Sequence, residues 1–131
     1  MFRDDVPEWF LIAEEDLISA KILFEHVKQP CEIICYHCAQ SVEKFLKGYI
    51  AYQNIEPKKT HNLIYLNEEC RKVDNMFLNV LKECAFINRF ANEVRYPHRI
   101  GATPEDAEIC IKFTDKIKEI KPIRDIFELI K

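Results

Sequence analysis

Residues Pro30 to Gln53 read PCEIICYHCAQSVEKFLKGYIAYQ. Within this stretch Ile34, Cys38, Val42, Phe45, Leu46, Tyr49 and Ile50 recur at spacings of three and four. That is the period of one helix face, so the segment is read as a long amphipathic helix. No alternation with period two competes with it. Working outward, Trp9, Ile12, Ala13, Leu17, Ala20, Leu23, Phe24 and Val27 show the same period, which predicts a helix over 6–28. Asp5, with Pro7 and Glu8 behind it, supplies an acidic capping signal, and Gln29-Pro30 ends the helix.

After the central helix, Asn54 and Glu56-Pro57-Lys58-Lys59 form a loop. A short helix carries Leu63, Ile64, Leu66 and Cys70 and ends near Val73. Asp74 or Asn75 can cap a fourth helix through Met76, Val80, Cys84, Ile87 and Val94, stopped by Tyr96-Pro97. Thr103-Pro104-Glu105-Asp106 opens the last long helix with a cap, a first-turn proline and acids at the positive dipole end. Pro122 interrupts that helix, leaving Ile123 to Ile130 as a final turn or two. The expected architecture is all-α. It is an up-and-down bundle of four long helices plus one or two short ones, as a single domain over 1–131.

Composition limits the function. Of 131 residues, 48% are hydrophobic, enough for a core at this length. Nineteen Lys and Arg stand against twenty-two Asp and Glu, a net charge of −3. That balance is unlike a protein that coats nucleic acid by bulk charge. Two glycines are too few for a glycine-rich phosphate loop. No apolar run approaches the roughly 20 residues of a membrane helix. The opening Met-Phe-Arg-Asp-Asp-Val-Pro is no export signal, so a cytoplasmic location without membrane attachment is expected. The six cysteines, at 31, 35, 38, 70, 84 and 110, are accordingly read as reduced and mostly buried. Cys31, Cys35 and Cys38 match a cluster-binding spacing, but at i, i+4 and i+7 they share one helix face and serve the core. Cys35, His37 and Cys38 make a poor zinc set, because adjacent residues point about 100° apart on a helix. No metal or cofactor is expected.

Two polar groups can carry chemistry. Residues 89–99, RFANEVRYPHR, combine arginines, a tyrosine and a histidine where a helix meets a loop. Arginine can fork onto a phosphate, histidine can move a proton near neutral pH, and tyrosine can stack on a base. The plain alternative is a solvated helix end whose basic residues complement its dipole. On the central helix, His37, Gln40, Glu43, Lys44 and Lys47 occupy neighbouring faces. They either line a groove for an anion or form a wet face laced by i, i+3 and i, i+4 pairs. His61 either braces its loop or points into a site.

Four blocks together resemble the HEPN family (higher eukaryotes and prokaryotes nucleotide-binding). They are Glu14-Glu15-Asp16-Leu17-Ile18-Ser19-Ala20-Lys21, the run from Cys35 to Lys47, Glu56 to Leu63, and Val94-Arg95-Tyr96-Pro97. The blocks fall in the family's order over nearly the whole chain. The resemblance implies a helical bundle that homodimerises and binds nucleotide. It also implies action beside a minimal nucleotidyltransferase in a toxin–antitoxin-type pair. The implied nucleotide contacts are His37, Gln40, Lys44, Lys47, Arg95 and Tyr96, with Tyr96 also a candidate for adenylylation. Many members are metal-independent ribonucleases with an R-x4-6-H motif. Here Arg95 and His98 are spaced R-x2-H and Arg89 and His98 R-x8-H, so the motif is not matched. A ribonuclease toxin using Arg95 and His98 is the alternative reading, and a purely structural interaction domain is the third.

Overall fold

The computed structural model describes residues 3–92 and 101–131. Its helices are α1 (Val6–His26), α2 (Cys31–Tyr52), α3 (Leu63–Arg71), a 3-10 helix (Asn75–Val80), α4 (Leu81–Asn88), α5 (Pro104–Glu119) and α6 (Lys121–Ile130). No strand occurs among the described residues. The all-α architecture is the one that the hydrophobic period dictates. α2 is its centre, packing against α1, α3, α4, α5 and α6.

The helix ends follow local chemistry. Thr103 and Asp106 form a reciprocal capping box at the start of α5, each side chain accepting the other's backbone N–H at 3.1 Å. Asn62 caps α3, its side-chain oxygen accepting from Ile64 and Tyr65. Ile120 is extended and separates α5 from α6, with Pro122 in the first turn of α6. Asp5 departs from the expected cap. It sits at the start of α1 without capping a backbone N–H. Its carboxylate instead pairs with Arg3 at 2.8 Å and accepts from the Trp9 indole at 3.1 Å.

The expected fourth helix is divided. Asp74 accepts from the Met76 N–H, only two residues ahead, which tightens the first turns into the 3-10 helix. The Phe77 carbonyl, which a continuous α-helix would give to the Leu81 N–H, accepts instead from Asn67 Nδ2 at 2.9 Å. The eight-residue α4 follows, ending at Asn88 before a turn and a bend over 89–92.

Phe10 of α1, Phe45 of α2 and Phe127 of α6 meet edge to face, with centroids 5.8, 5.0 and 5.7 Å apart. Such aromatic pairs add to simple burial. Gly48 lies opposite this cluster. A Cβ there would come within 2.5 Å of Phe10 Cε1, so only glycine lets α1 and α2 approach this closely. Ser41 of α2, which is buried, donates its hydroxyl to the Ala13 carbonyl of α1 at 2.7 Å and is thereby satisfied. All six cysteines are free and buried. Cys31, Cys35 and Cys38 lie on the buried face of α2 with Cys110 of α5 in the same core. Burial pushes the Cys38 and Cys84 thiols up to about 12, far from thiolate chemistry at neutral pH.

Candidate functional site

The polar residues of α2 converge on one carboxylate. Glu43 is almost fully buried, its side chain 3% exposed. Its Oε2 lies 2.9 Å from Lys47 Nζ and 3.5 Å from Lys44 Nζ. Its Oε1 lies 2.8 Å from His61 Nδ1. Lys47 is itself buried, stacked 5.9 Å from the Trp9 ring centroid. Burial alone would raise the Glu43 pKa. The hydrogen bonds from His61 and Lys47 and the charges of Lys44 and Lys47 outweigh it and hold the carboxyl below its ordinary value. Two ammonium groups around one carboxylate leave an excess of positive charge within this buried cluster.

Lys44 also donates to Gln40 Oε1 at 2.9 Å, which fixes the Gln40 amide. Gln40 Nε2 is then buried without a hydrogen-bond partner among the described residues. His37 Nδ1 faces Asp16 Oδ1 of α1 at 3.1 Å. His37 thus bridges α1 and α2, and a role for Lys47 as a phosphate contact requires its ammonium to leave Glu43.

His61 is different. Its ring is 62% exposed although one nitrogen is anchored to the buried Glu43. An ionised carboxylate only accepts, so Nδ1 carries the proton and Nε2 is left for a ligand. His61 lines a cleft of about 400 Å³ together with Lys59, Thr60, Asn62, Asn88 and Asn92. The same loop also borders an open hollow lined by Lys58, Lys59, Thr60, Asn62 and Tyr65. The cleft sits where the start of α3 meets the end of α4. Asn88 Oδ1 accepts the Leu63 N–H at 2.8 Å, which ties the two elements and leaves the Asn88 amino group without a partner among the described residues. Thr60 Oγ1 accepts the Asn62 N–H at 3.1 Å. Lys58 and Lys59 have no ion partner among the described residues. The cleft therefore offers an ammonium and an amide donor beside an imidazole, a set that suits a phosphate.

Arg95, Tyr96 and His98 lie outside the described residues. Asn92, the last described residue before them, lines the cleft. Lys59, Asn88 and Asn92 were not legible as site residues. The Lys58-Lys59 pair preceding His61 is the one sequence signal that points to the cleft. Among the described residues no group of three or more His, Cys, Asp or Glu is arranged to hold a metal ion, and no helix is long and apolar enough to cross a membrane.

Comparison with known proteins bears on this arrangement. The family model of the HEPN domain matches residues 6–124. The crystal structure of ST0689, an archaeal HEPN homologue, superimposes with a TM-score of 0.68 at 27% sequence identity, covering 96% of this chain and 98% of that one. No curated protein matches the chain.

Proposed function

Because the chain belongs to the HEPN domain family, we propose that it is a nucleotide-binding module whose ligand places a phosphate in the cleft between Lys59 and Asn92. The observation that carries this reading is the anchoring of His61. Its Nδ1 is held at 2.8 Å by a buried carboxylate while its exposed side chain lines a cleft whose lining residues are all polar. Lys59 and the Asn88 amino group bind phosphate oxygens. His61 Nε2 accepts from a ribose hydroxyl, or donates to phosphate when the ring is protonated. Lys44 and Lys47 act from behind, setting the charge of Glu43 and so the tautomer of His61. Arg95 and Tyr96 complete the set by contacting phosphate and base, and Gln40 and His37 hold the α2 face on which the network rests.

In this reading the protein works as a homodimer beside a minimal nucleotidyltransferase, in a toxin–antitoxin-type pair. That context is what the sequence resemblance implies. The test is thermal stabilisation by a panel of nucleoside mono-, di- and triphosphates. Wild type is expected to gain stability with at least one of them. Lys59→Glu is expected to lose the gain while melting normally without nucleotide, since its side chain makes no internal ion pair among the described residues. A gain that survives Lys59→Glu would refute the cleft.

A further inference from the structure

The outer face of α1 is built as a contact surface. Glu8, Leu11, Glu15, Ile18, Ile22 and Glu25 are all exposed. At 3.6 residues per turn these six fall within an arc of roughly 100°. Leu11, Ile18 and Ile22 are each more than half exposed, so three large aliphatic side chains lie in a row along this one helix. The other faces of α1 are used by α2 and α5. On the α5 side the polar residues are spoken for. Glu14 pairs with Lys118 at 2.7 Å, and Lys21 pairs with Asp115 at 2.9 Å. The three acids of the outer face are not. Glu8, Glu15 and Glu25 have no ion partner among the described residues.

Leu11, Ile18 and Ile22 stand seven and four residues apart, the register of a seam by which a helix packs lengthwise against another helix. From Leu11 to Ile22 the seam runs about 16 Å, three turns. Acids flank it and no lysine or arginine lies within its arc. A second copy of this chain fits badly. Laid antiparallel about the midpoint of Leu11 and Ile22, it sets Glu8 against Glu25, and laid parallel it sets each acid against itself. Like charges directly opposed are destabilising.

We propose that this face docks an amphipathic helix of another protein, one that presents an aliphatic seam flanked by lysine or arginine. The apolar seam supplies the contact, and the three acids select the partner by its charge and reject copies of the same chain. This surface is separate from the nucleotide cleft and does not depend on it.

Two synthetic helices of about three heptads test the proposal, both with leucine at the two seam positions. One carries lysine at the flanking positions and the other glutamate. Like charge keeps each peptide from pairing with itself. Binding is read by fluorescence anisotropy at low salt. The wild-type protein is expected to bind the lysine peptide at least about tenfold more tightly than the glutamate peptide. Adding salt is expected to shrink the difference. In Glu8→Lys/Glu15→Lys/Glu25→Lys the preference is expected to invert. In Leu11→Ser/Ile18→Ser/Ile22→Ser binding of both peptides is expected to vanish while the circular dichroism spectrum stays helical. Equal binding of the two peptides, no binding of either, or a preference that survives charge reversal would overturn the proposal. So would a concentration-dependent dimer that the serine variant abolishes, which would assign the face to a second copy.

Discussion

His61 Nδ1 lies 2.8 Å from Glu43 Oε1, so an exposed imidazole on a loop is fixed to a carboxylate buried on the central helix. The same carboxylate holds the buried Lys47 ammonium at 2.9 Å. One side chain thus joins the stability of the bundle to the geometry of the cleft.

The first expectation concerns that joint role. Glu43→Leu leaves the Lys47 ammonium buried without its carboxylate and should cost about 3–5 kcal/mol in urea unfolding. Glu43→Leu with Lys47→Met removes both charges and should recover most of the loss, because a well-packed apolar pair can replace a buried ion pair. Losses that simply add would mean that Lys47 does not depend on Glu43.

Acid stability follows from the same carboxylate. Its folded-state pKa lies below the ordinary 4.5, chiefly because the hydrogen bonds of His61 and Lys47 and the charges of Lys44 and Lys47 overcome burial. A depressed carboxylate contributes stability that is fully present above its unfolded pKa and is lost as pH falls through its folded pKa. The unfolding midpoint in urea should therefore fall as the solution is acidified from near 4.5 downward. The Glu43→Gln protein should start lower and change less over that window. Parallel profiles for the two proteins would contradict this.

Gly48→Ala tests the closeness of α1 and α2. Alanine favours a helix by about 1 kcal/mol over glycine. Here its Cβ would lie 2.5 and 2.7 Å from two atoms of the fully buried Phe10 ring. Overpacking of that kind costs about 1–3 kcal/mol. A net loss of stability with a shift in the aromatic circular dichroism is expected, whereas a gain would show that Phe10 has room to move.

The ribonuclease alternative is decided by RNA in the presence of a chelator. A nucleotide-binding module leaves a mixed RNA pool intact. Cleavage by wild type that is lost in Arg95→Ala/His98→Ala would instead establish a metal-independent nuclease with an unusual spacing of arginine and histidine.

Most of the fold is legible in the order of residues, because helix period and caps are local. The apolar rows of α1 and α2, the Thr103-Asp106 capping box and the break before Pro122 all depend on neighbours within a turn or two. The divided fourth helix is not local. It depends on Asn67, ten residues earlier, taking the Phe77 carbonyl. The site divides in the same way. Glu43, Lys44 and Lys47 are visible as a helical set, yet their convergence on a single carboxylate oxygen is a matter of rotamers. The link from Glu43 to His61 crosses eighteen residues and a loop, and the Asn88 contact with Leu63 crosses twenty-five. No spacing rule reaches that far, so the cleft emerges only when α3 and α4 are placed.

The most direct measurement of the central claim is an amide nitrogen–proton NMR titration of the labelled protein with the nucleotide that stabilises it best. Binding in the cleft predicts saturable shifts at Lys59, Thr60, His61, Asn62, Asn88 and Asn92, and their loss in Lys59→Glu. Shifts that cluster elsewhere, or a spectrum that no nucleotide moves, would contradict it.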